Sequence, residues 1–155
     1  MIYYLIGIVG LVFLDQLTKI QIENNFFIGD SLAIIQDFFH ITYVQNRGIA
    51  FGIFQGKINL ISVFTVIAII GIIYYFIKTF KKSSFLEKLA YMLIISGAVG
   101  NMIDRIFRGY VVDMIDFRGI WSFVFNMADV YINIGVAVIL LDMFIKAKKD
   151  LKEKK

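Results

Sequence analysis

Residues 58–77 read INLISVFTVIAIIGIIYYFI, twenty consecutive positions without a charge, and Lys78, Lys81 and Lys82 follow at once. A helix rises about 1.5 Å per residue and the hydrocarbon core of a bilayer is roughly 30 Å thick, so about 20 apolar residues reach across it. The stretch predicts a membrane-spanning helix and sets the solvent in which the rest of the chain is read. The composition agrees: of 155 residues 59% are hydrophobic and 18% charged, against about 45–50% and roughly 25% in soluble domains. With 16% aromatics the chain has ample surface to bury, which excludes disorder. The length allows one domain.

Three further spans are predicted on either side of this one, at about 2–22, 86–104 and 122–144. The first lacks the basic segment that precedes a cleaved leader, so a retained helix is expected. The fourth is interrupted only by Asp129 and Asp142. The expectation is an all-α integral membrane protein, a single domain of four transmembrane helices. Orientation follows from basic residues near helix ends. The loop 78–88 and the tail 146–155 hold ten Lys, against six Lys and Arg on the other side, so both termini are expected to be cytoplasmic. Every Arg (Arg47, Arg105, Arg108, Arg118) falls on the outer side, against that bias, and is read as a site residue. The outer loop at about 23–57 exceeds a connector. Its stretch Phe38–Val44, the turn Gln45–Gly48 and the apolar piece Ile49–Phe54 predict a hairpin or small sheet at the membrane surface. The basic tail is read as a solvated end. The net charge of +4 collects beside hydrophobic segments and so does not point to nucleic acid.

The inventory narrows the chemistry. There is no Cys, and His40 is the single His, which removes disulfides, thiolate nucleophiles and multi-histidine metal sites. Carboxylates at membrane depth are costly and are functional candidates by default. Asp15 with Lys19 is expected as a structural pair on one face of the first span, Asp104 with Arg105 ends the third, and Asp113 sits in an apolar outer run. Asn126, Asp129 and Asn133 draw one polar stripe down the fourth span. Asp129 is placed about two turns inside it, with no neighbouring cation. If Asp113 and Asp129 approach each other, they share a proton; such a dyad activates water while its protonated partner polarises a carbonyl. The two positions alone are a weak signal.

Five strings strengthen it: Asp15-Gln-Leu-Thr-Lys19, Asn46-Arg-Gly-Ile-Ala-Phe51, Gly97-Ala-Val-Gly-Asn-Met-Ile-Asp-Arg105, Val111-Val-Asp-Met-Ile-Asp116 and Phe125-Asn-Met-Ala-Asp129. In this order and at these separations the chain resembles the bacterial lipoprotein signal peptidase (signal peptidase II) family over nearly its whole length. Ser96 and Met114 depart from the family's usual Gly and Phe and touch no carboxylate. The resemblance implies an aspartic endopeptidase with four transmembrane helices and a small extracytoplasmic β cradle, in a bacterial plasma membrane with its site near the outer face. It implies a prolipoprotein substrate carrying diacylglycerol on its Cys and cut just before that Cys. Asp113 and Asp129 would be the catalytic dyad. Asn46, Arg47, Gly48, Asn101, Asp104, Arg105 and Asn126 would support the dyad or bind substrate, and Asp15 with Lys19 would hold the site from the first helix. No metal or other cofactor is expected, the partners are the substrate and membrane phospholipid, and the protein is expected to be a monomer. The rival readings are a small transporter or channel component using the polar stripe, a metal-dependent phospholipid transferase using Asp113 and Asp116, and a scaffold without chemistry.

Overall fold

The computed structural model describes residues 1–48 and 58–153. Its elements are α1 (Ile2–Asn25), β1 (Ser31–Ile35), β2 (Phe39–Asn46), α2 (Ile58–Thr79), α3 (Phe85–Phe107), β3 (Val111–Phe117) and α4 (Met127–Glu153). All four helices are long and apolar enough to cross a membrane. Their outward faces carry large exposed hydrophobics such as Val9, Phe13, Ile67, Ile70, Leu140 and Phe144, the pattern of a surface whose solvent is lipid.

Lipid tails are as apolar as Leu, so helices in a bilayer associate through small residues and polar contacts. α3 supplies both and packs against the three other helices. A Cβ on its Gly97 would overlap the backbone carbonyl of Ala128 on α4, and a Cβ on Gly100 would lie 2.5 Å from Asp15 Oδ2 on α1. The two glycines let three helices meet where the buried polar residues lie. α2 carries no such residue and attaches through aromatic edges, with Phe76 at 6.3 Å from Tyr4 and 5.6 Å from Tyr91. At the far end of the bundle Ser84 caps α3 by accepting from Glu87 N and donates to Asp142, which also pairs with Lys146.

The small sheet expected from the outer loop is present and draws one strand from a second loop. β1 is the antiparallel partner of β2, and the connecting turn contains Asp37 at a φ of 57°, a conformation its short polar side chain tolerates. The segment Ile49–Phe54, expected as the second piece, lies outside the described residues. The third strand is β3, from the loop between α3 and α4, paired antiparallel with β2 in the order β1-β2-β3. Ile22 of α1, Tyr43, Val112 and Met114 form the small core that seats the sheet on the bundle. Between Ile41 and Val44 the ladder carries a bulge: Ile41 faces Ile115, but Val44 rather than Tyr43 faces Asp113. One extra residue in a strand reverses the face of everything beyond it. The bulge thus puts Val44 and Asn46 on the face that carries Asp113.

α4 begins at Met127 rather than near residue 122. Phe125 is drawn into the sheet instead, exchanging backbone hydrogen bonds of 2.7 and 3.0 Å with Ile115. Asn126 and Asp129 then close a reciprocal cap: Asn126 Oδ1 accepts from Asp129 N at 3.0 Å and Asp129 Oδ2 accepts from Asn126 N at 3.2 Å. Asp129 therefore occupies the first turn of the helix, not a position two turns deep. At its other end α4 stays helical to Glu153, so residues 146–153 of the basic tail continue the helix.

Gly97→Ala is expected to push α3 away from α4 and to lower stability by about 1–3 kcal/mol. Gly71→Ala on α2, where an added Cβ meets nothing within 4 Å, is the silent control. Thermal unfolding of the two variants in detergent compares them.

Candidate active site

A buried ammonium organises the end of the bundle nearest the sheet. Lys19 of α1 is fully buried and lies 2.9 Å from Asp15 Oδ2 and 2.9 Å from Asp104 Oδ2. A buried charge is tolerated only when paired and hydrogen-bonded on all sides, and each partner here is saturated. Asp104 Oδ2 also accepts from Val112 N at 3.1 Å, and its Oδ1 accepts from Arg108 at 2.7 Å and Gln16 at 3.0 Å. Asp15 Oδ1 accepts from Ala128 N at 2.9 Å. One ion cluster thus ties α1 to α3, α3 to the start of β3, and α1 to the first turn of α4. Arg108 extends it to Glu23, which also takes the Tyr110 hydroxyl.

The third proton of Lys19 goes to Asn101 Oδ1 at 3.0 Å. An ammonium only donates, so the carbonyl end of the Asn101 amide must face it and the Nδ2 end must face away. That Nδ2 donates to Asp129 Oδ1 at 2.8 Å. Asn126 is oriented by the same logic. Its Oδ1 is held by the α4 backbone, so its Nδ2 turns inward to Asp113 Oδ1 at 2.6 Å, with Asn101 Oδ1 at 3.1 Å. Asn46 is the third case: its Oδ1 accepts from Gly48 N at 2.9 Å and its Nδ2 donates to Asp113 Oδ2 at 3.0 Å. Three amides are each locked at the oxygen, and each presents N–H to a carboxylate.

Asp113 and Asp129 line one open groove of about 1120 Å³ together with Asn46, Asn101 and Arg105, and Trp121, Phe123 and Phe125 form its aromatic wall. Burial pushes the Asp113 carboxyl up to about 7, and the nearby Asp129 carboxylate pushes in the same direction. The amides of Asn46 and Asn126 oppose both. Two carboxylates that face one groove, one of them raised in this way, form an arrangement that can share a proton.

The other expected residues divide. Arg105 lines the groove, and its Nε is buried with no hydrogen-bond partner among the described residues. Asp104, its neighbour in sequence, is buried beneath the site and pairs with Lys19 and Arg108 instead. Asp104 can support but not touch a substrate. Arg47 is exposed and is not among the groove residues, while buried Gly48 acts through its N–H. Asp116 accepts from Thr42 and pairs with Arg118 on the sheet. His40 is buried there. Sequence reading missed Gln16, Glu23 and Tyr110. Arg108, expected as a site residue, lies in the ion cluster instead, paired with Asp104 four residues before it on the same helix face.

Residues 7–145 match the family Signal peptidase (SPase) II. A Lipoprotein signal peptidase of Fusobacterium nucleatum is 55% identical over 153 residues, covering 98% of this chain and 92% of the relative. One from Halothermothrix orenii is 45% identical over 148 residues, with 96% and 98% covered. A solved bacterial membrane enzyme, obtained by the in meso method, superposes with a TM-score of 0.86 at 36% identity, covering 100% of this chain and 93% of its own. A fold of four membrane-length helices and a three-stranded sheet, matched at this level along the whole chain, defines a multi-pass membrane protease. The chain belongs to the signal peptidase II family.

Removing the Lys19 charge leaves two buried carboxylates short of a partner, so Lys19→Met is expected to cost about 3–5 kcal/mol. Adding Asp15→Asn to it should recover part of that loss. Chemical unfolding of the single and double variants in detergent measures the coupling, which is near zero if the cluster is not a unit.

Proposed function

We propose that the protein is an aspartic endopeptidase that removes the signal peptide from diacylglyceryl-modified prolipoproteins, cutting just before the lipidated Cys, with Asp113 and Asp129 as its catalytic dyad. The observation that carries the reading is the pair itself: two carboxylates from different elements face one groove, each receives N–H from a locked amide, and one is raised to about 7. The ionised member takes a proton from water as the water attacks the scissile carbonyl. The protonated member hydrogen-bonds the carbonyl oxygen and later returns a proton to the leaving amine. Nothing in this sequence requires a metal or organic cofactor.

The substrate class is supported by the names of the relatives and by the depth of the site. A Cys carrying two acyl chains holds the adjacent peptide bond near the headgroup level, and the dyad sits at the sheet end of the helices. Arg105 is assigned to an electronegative group of the substrate, since its Nε has no protein partner among the described residues. Arg47 remains a candidate for phosphate or carbonyl contact from the exposed side. The balance of basic residues supports cytoplasmic termini and an outward-facing site in a bacterial plasma membrane. The enzyme is taken to act as a monomer with membrane phospholipid around it.

Asp113→Asn and Asp129→Asn are each expected to abolish cleavage of a lipidated prolipopeptide while the variants still insert and fold. Asp142→Asn, at the opposite end of α4, should be nearly silent, and a chelator should have no effect. An active Asp129→Asn enzyme would sink the assignment.

The pH profile follows from the raised Asp113 carboxyl. Below about 7 the dyad holds its proton; above it both members ionise and the acid is lost, so kcat/KM should fall as pH rises through an apparent pKa near 7. Asn46→Ala removes an amide that favours the ionised form, so its alkaline limb should move to higher pH. A limb that stays in place would show that this hydrogen bond does not tune the dyad.

A further inference from the structure

Asn133 places an amide on a turn of α4 that otherwise shows apolar side chains to lipid, its exposed neighbours being Ile134 and Val136. Its Nδ2 donates to the backbone carbonyl of Asp129, four residues earlier, at 2.9 Å. No described residue donates to its Oδ1. A polar atom without a partner at hydrocarbon depth is unfavourable, and such groups in spanning helices mark places where something polar arrives. Asn133 lines the same groove as Asp113 and Asp129. What arrives is therefore constrained by what enters that groove.

Resting on the peptidase reading above, the occupant is a signal peptide that comes from inside the membrane as a helix. A protease acts on an extended backbone, so the residues ahead of the cut must unwind. Unwinding strips their N–H groups of helical partners, and lipid offers no replacement. Asn133 stands one turn further into the bundle than Asp129, about 6 Å along the axis. An extended chain covers about 3.3 Å per residue, so that depth is reached about two residues before the cut. We propose that Asn133 is a substrate-binding residue whose Oδ1 accepts a hydrogen bond from a backbone N–H of the unwound signal peptide, two or three residues before the scissile bond. The groove thereby tolerates varied side chains at that position while demanding a free amide hydrogen.

The test uses wild type, Asn133→Leu and Asp129→Asn in phospholipid nanodiscs. The substrates are a lipidated prolipopeptide and two versions of it, N-methylated at the amide two or three residues before the cut. Asn133→Leu is expected to raise KM roughly fivefold, with kcat held within about twofold. N-methylation at one of the two positions should weaken wild type by a similar factor and add little in Asn133→Leu. Equal N-methylation losses in both proteins, or an unchanged KM in the variant, overturn the proposal. If Asn133→Leu does not fold, wild type decides: no loss from N-methylation at either position overturns it. Asp129→Asn separates the two levels. Cleavage by that variant removes the aspartic reading and this inference with it, whereas its inactivity beside an unaltered Asn133→Leu removes this inference alone.

Discussion

The structure depends on how a lysine ammonium can exist inside a membrane protein. Stripped of water, Lys19 requires compensation from every direction, and the chain supplies it from two helices at once, Asp15 on its own and Asp104 on α3. Each carboxylate must then spend its remaining lone pairs, and the donors that reach them are the backbone N–H of Val112, where β3 starts, and of Ala128, in the first turn of α4. Electrostatic satisfaction at one buried charge thus fixes the launch points of the two segments that carry Asp113 and Asp129. The glycines of α3 matter for the same reason, since the cluster closes only if α1 and α4 come within backbone distance of α3.

The three asparagines give the site its polarity. An amide is ambiguous by itself, with donor and acceptor ends of similar shape. Lys19, the α4 backbone and Gly48 each hold one oxygen end, so the donor ends all point at the two acids. Fixed N–H dipoles aimed at a carboxylate as buried as Asp113 stabilise its negative charge without having to reorganise. At Asp113 they counter the burial that pushes its carboxyl up, and the outcome is a balance at about 7.

Much of this was legible in the sequence because a bilayer makes composition decisive. The uncharged run 58–77 required a span whatever the packing, and each carboxylate near the other spans required a reason. Pairings between distant segments were not legible. Asp104 and Arg105 are adjacent and read as one feature, yet a helix points successive side chains about 100° apart, and these two serve different sites. β3 was hidden because Val111–Phe117 shows a strand's composition only once a partner strand is known to lie beside it. The start of α4 was misplaced because Trp121–Phe125 is apolar enough to extend a span, and backbone pairing with Ile115 overrides that preference.

The extra residue in β2 has a consequence for how such a chain can vary. Asn46 reaches Asp113 because the count between Ile41 and Val44 is odd by one against β3, not because of the side chains of Thr42 and Tyr43. What matters in that segment is its length. A substitution there disturbs only its own packing and hydrogen bonds, such as that from Thr42 to Asp116, whereas a single deletion would act like a frameshift within the fold, turning every later side chain of the strand to the opposite face and taking the amide from the acid it serves.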